Sequence, residues 1–117
     1  MKDQPILLPH QTTDIYRVSM RLCVVVQRAK IRDAELRDQA ERAGKSSFLA
    51  IGEGLPQRSV RMRLQYFERA RSSAWELASA IHLAYEIGAM DEAPWREAHE
   101  LAARTSAMLV ALMRKCR

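Results

Sequence analysis

The sequence predicts an all-α protein folded as an antiparallel, up-down-up-down four-helix bundle. Its composition favours helix, because alanine, leucine, arginine and glutamate dominate and only four glycines and four prolines occur. Apolar or small residues recur at steps of three and four along four stretches, the spacing that aligns side chains on one helical face. Short breaks separate these stretches, and helices joined by short turns run in alternating directions. The 117 residues suit a single domain, 1–117.

An N-terminal arm, residues 1–11, precedes the first predicted helix. Pro5 and Pro9 discourage helix formation, so we expect an extended conformation. Residues 6–8 read Ile-Leu-Leu and make the arm apolar. Such an arm either packs along the bundle or reaches a neighbouring subunit, and the sequence leaves both alternatives open.

Helix one begins after Thr12 or Thr13, since either hydroxyl can cap it. Its predicted core-facing residues are Ile15, Val18, Leu22, Val25 and Ala29. Val24 and Val26 lie outside this stripe and make the helix apolar on a second side. That second apolar side indicates contact with another subunit.

Helix two follows a short turn over residues 30–33 and is rich in small residues. Asp33 can cap its first turn. The small residues that recur at three and four are Ala40, Ala43, Ser47 and Ala50. We expect the helix to end at Gly52, because a second glycine and Pro56 follow.

Helices three and four complete the predicted bundle. Ser59 can cap helix three and Gly88 can end it, while Asp91 can cap helix four with Pro94 in its first turn. Each core side chain contributes about 1.5 to 3 kcal/mol if fully buried. The expected core members are Val25, Phe67, Leu77, Ile81, Leu101 and Leu109.

The composition is that of an ordinary globular protein, with 48% hydrophobic and 28% charged residues. No apolar run approaches the ~18 residues of a membrane span, and no leader pattern occurs, so we expect no membrane partner and a cytoplasmic location. Cys23 and Cys116 should lie roughly 15 Å apart along the bundle axis. That separation exceeds disulfide geometry, so two reduced thiols are expected.

The charge balance favours an acidic partner. Nineteen Lys and Arg against fourteen Asp and Glu give a net charge of +5. Most of the cations are arginine, whose guanidinium donates two hydrogen bonds to one phosphate. A GC-rich genome that encodes arginine in place of lysine explains the bias equally well.

The predicted topology gathers cations at one end of the bundle. The arm, the loop between helices two and three, and the C-terminus share that end in an up-down arrangement. The candidate nucleic-acid-binding residues there are Arg58, Arg61, Arg63, Arg114, Lys115 and Arg117. The nearby acids are only Asp3, Asp14 and Glu53, whereas the opposite end carries both signs of charge.

Residues 39–76 resemble the signature of a family of small four-helix-bundle proteins, the 23S rRNA intervening-sequence proteins. The matching residues are Gln39, Arg42, Ala43, Ser46, Ile51, Glu53, Gly54, Arg58, Ser59, Ala70, Arg71, Ser73 and Glu76. The resemblance implies an up-and-down bundle that assembles as a homopentamer. The chain is similar also to the accessory variability determinant of diversity-generating retroelements, a basic bundle of this family. That similarity implies RNA or DNA, and a reverse transcriptase, as candidate partners.

Four charges within the matching block have two interpretations: Arg42, Glu53, Arg71 and Glu76. They form either a ligand site or structural ion pairs between helices or subunits. Opposite signs alternate here, which favours structural ion pairs over a phosphate site. The aromatic residues Trp75, Trp95, Tyr66 and Tyr85 are interpreted as core or subunit-interface anchors rather than base-stacking platforms.

Enzymatic chemistry has little support in the sequence. His82 and His99 should lie at similar heights on helices three and four, but neither has Glu three residues before it, as iron-binding bundles require. No metal, cofactor or catalytic residue is therefore predicted. None of the candidate serine or cysteine nucleophiles has a histidine at a sequence spacing that predicts an activating contact. A metal or small-molecule bundle enzyme is the weakest alternative.

The preferred function is a non-enzymatic, oligomeric bundle that binds RNA or DNA through its arginine-rich end. The alternative is an oligomeric scaffold or adaptor that binds a protein, such as a reverse transcriptase, without touching nucleic acid. Nucleic-acid affinity that falls steeply with salt would distinguish the two.

Overall fold

A computed structural model describes residues 5–116 of the chain. Four α-helices occupy most of that range: α1 (Asp14–Arg28), α2 (Ala34–Gly54), α3 (Val60–Glu86) and α4 (Glu92–Lys115). A 3₁₀ turn, Pro9–Thr12, precedes α1, and residues 5–116 contain no strand. The predicted all-α, four-helix fold class is confirmed.

Three of the predicted N-caps form as expected. The side-chain oxygens of Thr13, Asp33 and Ser59 each accept a hydrogen bond from the backbone N–H three residues further on. Asp91 occupies the cap position of α4 but makes no capping bond. Its Oδ1 instead accepts from Arg32 at 3.0 Å, because the turn before α2 packs beside the start of α4.

Side-chain hydrogen bonds give the relative directions of neighbouring helices. Between α2 and α3 the bonded pairs are Gln39–Glu76, Ser46–Ser73 and Ser47–Ala70. Between α3 and α4 they are Trp75–Ser106 and Tyr85–Glu92. In both sets one residue number rises as the other falls, so each pair of helices is antiparallel.

Buried side chains from all four helices form the core. Phe67, Leu77, Ile81, Leu101 and Leu109 are buried as predicted.

The prediction of Val25 as the sixth core residue is wrong. Val25 is half-buried, and Val26 occupies the core position with 1% exposure. The buried side of α1 passes through Ser19, a polar residue that the apolar pattern skips. Its hydroxyl donates to the Tyr16 carbonyl at 3.1 Å, which satisfies the buried polar group. Since Val26 faces the interior, only Val24 of the off-stripe pair stays exposed, at 38%.

The helix α2 continues two residues beyond the predicted end, to Gly54. At Gly54 the backbone approaches α3 so closely that an added Cβ would lie 2.8 Å from the Cβ of Tyr66 and 3.0 Å from the Phe67 ring. A glycine is therefore required for this packing. At the other end of α3, Gly88 adopts φ +80° just past the helix, as a C′ glycine does.

The predicted arm is extended only in part. Pro9–Thr12 forms a 3₁₀ turn, because Pro9 stands at its first position, where a missing N–H costs nothing. Residues 5–8 have no regular structure and are exposed, and residues 1–4 of the predicted arm lie outside the described residues.

Both cysteines are free thiols, as predicted. The Cys23 thiol donates to the Gly44 carbonyl with Sγ and O 2.9 Å apart, and burial raises the pKa of Cys23 to about 11. Across the described residues, none of the helices has the length and apolar character needed to traverse a lipid bilayer.

Candidate nucleic-acid interface

The turn between α2 and α3 lies beside the end of α4. Two adjoining clefts demonstrate this, because Leu55, Leu112 and Lys115 line both. The first cleft has a volume of ≈ 320 Å³ and is also lined by Thr13, Asp14, Ile15, Met108 and Ala111. The second cleft has a volume of ≈ 250 Å³ and is also lined by Val60, Arg63, Phe67 and Cys116. The starts of α1 and α3 and the ends of α2 and α4 therefore meet at one end of the molecule.

Five of the six predicted cations lie at this end, which we call the basic end: Arg58, Arg61, Arg63, Arg114 and Lys115. Arg58 is exposed in the turn, and Arg61 is exposed in the first turn of α3. Arg63 and Lys115, from different helices, line the same cleft. The sixth candidate, Arg117, lies outside the described residues.

The cations of the basic end have no carboxylate partner within residues 5–116 at an ion-pair distance of 4.0 Å or less. Of the two acids described nearby, Asp14 lies 3.8 Å from Arg17, one turn further along α1. Glu53 is exposed, and within the described residues its carboxylate also forms no ion pair. The positive charge of this end is thus not neutralised by its own helices.

The position of three arginines around the start of α3 opposes helix stability. A helix N-terminus carries partial positive charge, and the first turn of α3 has no acidic residue to balance it. Arg58 and Arg61 add further positive charge there. Arg63 is half-buried, and its Nε lies buried without a hydrogen-bond partner among the described atoms. An anion bound here would relieve both conditions.

The other two cations have a different local effect. Arg114 and Lys115 occupy the last turn of α4, where cations complement the partial negative charge of the helix end. Both are exposed. Their location therefore serves the helix and also adds charge to the basic end.

The opposite end pairs several of its charges. Arg32 lies 3.0 Å from Asp91, Arg21 lies 3.1 Å from Glu97, and Arg96 lies 3.5 Å from Glu92. The first two pairs connect different parts of the fold. Arg32, Arg21 and Arg96 are thus paired within the chain, whereas the exposed Arg28, Lys30 and Arg37 of the same end form no ion pair within residues 5–116.

The four family-matching charges do not pair with one another within residues 5–116. Arg71 instead lies 3.5 Å from Glu68, one turn before it, and also stacks its guanidinium 4.9 Å from the centre of the Trp75 ring. Glu76 accepts a hydrogen bond from Gln39. Arg42 and Glu53 are exposed. Within residues 5–116 of a single chain, these four residues form no ion pairs with one another across helices. Ion pairs between subunits stay a prediction.

The two histidines considered as metal ligands belong to an aromatic cluster. The rings of His82 and His99 are 6.4 Å apart, and both lie beside Trp95, which stacks on Tyr85 at 4.2 Å. A hydrogen bond to Glu92 raises the pKa of Tyr85. Among residues 5–116 no group of three or more metal-ligating side chains is suitably arranged.

Sequence reasoning missed the two clefts and the half-burial of Arg63. Neither leaves a signal in the sequence, because a cleft depends on how the ends of four helices pack together. The exposed Trp75, 57% accessible, was predicted as a core or interface anchor, and it does not belong to the core of the chain.

Comparison with known families gives one result. The family model described as 23S rRNA-intervening sequence protein matches residues 11–111, which is most of the chain. No curated protein matches the sequence. The match extends well beyond residues 39–76, the block that carries the resemblance.

Proposed function

Because the chain belongs to the family of 23S rRNA-intervening sequence proteins, we propose that it is a non-enzymatic, oligomeric helical protein that binds RNA or DNA. The phosphate backbone would bind at the basic end. The observation that carries the proposal is the group of five cations without a carboxylate partner among residues 5–116.

The chemistry of these side chains suits phosphate rather than a small carboxylate ligand. Guanidinium groups donate paired hydrogen bonds to phosphate oxygens, and exposed lysine adds a point charge. The cations come from the α2–α3 turn, the start of α3 and the end of α4, so they cover a surface rather than one pocket. A surface of this kind follows a backbone and does not by itself read sequence.

Self-association would strengthen binding. The resemblance implies a homopentamer, and several copies of one basic end would engage one nucleic acid with a high effective concentration. The positive potential of the assembly would also speed its encounter with the polyanion.

The test is charge reversal at the basic end, with Arg58→Glu, Arg61→Glu and Arg114→Glu combined in one chain. The probe is a fluorescently labelled RNA hairpin, measured by fluorescence anisotropy at fixed salt. A protein that loses several phosphate contacts should lose about a hundredfold or more in affinity.

The matched control is Arg28→Glu, Lys30→Glu and Arg37→Glu. These three residues are exposed at the opposite end, have no ion pair within residues 5–116, and change the net charge equally. The control should lose far less affinity. Equal losses in the two variants would refute a site at the basic end, and circular dichroism checks that both are folded.

A second function, a scaffold that binds a protein such as a reverse transcriptase, draws on a different surface. Trp75 is exposed beside an alanine-lined groove of ≈ 360 Å³ between α3 and α4. Exposed tryptophans are enriched among residues that dominate protein interfaces. Under this alternative, Trp75→Ala would abolish co-purification of the partner while the basic-end variant retained it.

A further inference from the structure

The chain exposes an apolar segment that the rest of the described range, residues 5–116, leaves largely uncovered. Ile6 is 100% exposed, Leu8 60% and Leu7 50%. Burial of an aliphatic side chain is favourable, so three adjacent exposed ones are a marked departure from an ordinary surface, where exposed apolar side chains occur singly. We call residues 5–8 the apolar arm.

The first cleft offers a matching surface at the basic end. Ile15, Leu55, Met108 and Leu112 give it apolar walls. Its volume of ≈ 320 Å³ is at the lower end of the range of about 300–1,000 Å³ seen for ligand pockets. The cleft therefore suits a few aliphatic side chains rather than a whole helix.

The arm of the same chain does not line this cleft, since none of residues 5–8 is among its lining residues. The Leu8 N–H donates to the Gln11 Oε1 at 2.8 Å, and the Gln11 N–H donates back to the Leu8 carbonyl at 2.9 Å. The Thr12 hydroxyl also donates to the Pro9 carbonyl at 2.7 Å. These bonds close the 3₁₀ turn between the arm and Thr13, which lines the cleft. With this turn closed, Ile6, Leu7 and Leu8 of the same chain are exposed and lie outside the cleft.

The charges that line the first cleft favour the apolar arm over a nucleic-acid phosphate as the occupant of the cleft. The two charged residues that line the first cleft, Asp14 and Lys115, have opposite signs. An uncharged Pro-Ile-Leu-Leu segment can enter between them without burying a third charge, whereas a phosphate would meet the Asp14 carboxylate.

We propose that the first cleft receives Ile6, Leu7 and Leu8 of a second copy of this chain. Donor arm and acceptor cleft are different surfaces, so the contact is head-to-tail and each copy can engage two neighbours. The proposal specifies one contact of the self-association proposed above and does not depend on nucleic-acid binding.

Cross-linking between two differently marked chains tests the proposal. One chain carries Leu7→Cys and the other Ala111→Cys, both with Cys23→Ser and Cys116→Ser. After mixing and mild oxidation, a disulfide-linked dimer containing both chains is expected on a non-reducing gel. As a control, Leu83→Cys replaces Ala111→Cys, because Leu83 is 51% exposed but lines neither cleft. The expected dimer should fall to background with this control.

Two results would overturn the proposal. The first is a yield of mixed dimer no greater than with Leu83→Cys. The second comes from one chain that carries both Leu7→Cys and Ala111→Cys: a disulfide found only within monomers would mean that the arm fills its own cleft. If the expected contact fails while sedimentation still reports an oligomer, the contact is refuted and the self-association is not.

A second variant checks the energetics without new cysteines. Ile6→Asp with Leu7→Asp should weaken self-association by about a hundredfold or more, since two aliphatic side chains lose their burial. Sedimentation velocity over a concentration series measures this shift. Both positions are exposed in the single chain, so its helical content should not change. Self-association equal to that of the unmodified chain would contradict the proposal.

Discussion

The two ends of the bundle use charge in opposite ways. At the basic end, cations from the turn after α2, the start of α3 and the end of α4 have no carboxylate partner among residues 5–116. At the other end, Arg32 and Arg21 each connect to an acid more than 50 residues away in the sequence. The number of cations alone does not distinguish the ends. The difference is that the opposite end also has arginines paired with acids from distant parts of the sequence, whereas none of the five described cations of the basic end is paired within residues 5–116.

The two ends of the bundle also differ in their packing. The basic end contains two clefts and a position, Gly54, where α2 and α3 touch too closely for a side chain. The opposite end closes with hydrogen bonds, since Arg32 also donates to the Gly88 carbonyl at 3.0 Å. The opposite end also has a cleft of ≈ 330 Å³, lined by Arg28, Pro94 and Glu97 among others, so the two ends differ in these internal hydrogen bonds and not in the presence of a cleft.

The largest effect on stability is expected from Gly54→Ala at the basic end. The new methyl would lie 2.8 Å from the Tyr66 Cβ, so helix α2 or α3 must shift. Overpacking of this kind costs about 1–3 kcal/mol in the free energy of unfolding. Gly52→Ala is the control, because its methyl would come no closer than 3.8 Å to Tyr16, and it should stabilise by up to about 1 kcal/mol. Urea denaturation measures both, and equal midpoints would contradict the tight contact at Gly54.

A smaller effect is expected from single neutral substitutions on RNA binding. Arg61→Gln should reduce the slope of log affinity against log salt by about 0.7–0.9, the value for one phosphate contact. Arg37→Gln, at the opposite end and also exposed, should leave the slope unchanged. Salt titrations of a labelled RNA hairpin measure the slopes. If Arg37→Gln lowered the slope as much as Arg61→Gln, the two ends would be equivalent for RNA.

The smallest effect is expected from Arg32→Ala at the opposite end. This change removes an ion pair with Asp91 and a hydrogen bond to the Gly88 carbonyl, both made by the exposed Arg32 side chain. Exposed pairs contribute about 0.2–1 kcal/mol, so the melting temperature should fall slightly. At fixed salt, RNA affinity should fall only by the small amount expected from lowering the net charge of the protein by one. If Arg32→Ala lowered RNA affinity as much as the basic-end triple variant, RNA would bind at the opposite end and the proposed site would be refuted.

The features that depend on a few neighbouring residues could be predicted from the sequence. The caps at Thr13, Asp33 and Ser59 and the terminating Gly88 were predictable, because each acts on backbone groups within about one helical turn. The same holds for the four helices, whose periodic patterns are local.

Which groups meet across helices could not be predicted in this way, because it depends on how the four helices pack. The choice of Val26 over Val25 as the core residue depends on the rotation of α1, and the missing cap bond of Asp91 depends on the position of Arg32. The shared cleft of Arg63 and Lys115 depends on the relative height of α3 and α4. The periodic pattern of a helix predicts which residues face the core only to within about one position. These contacts are therefore defined only when the four helices pack with a particular rotation and relative height.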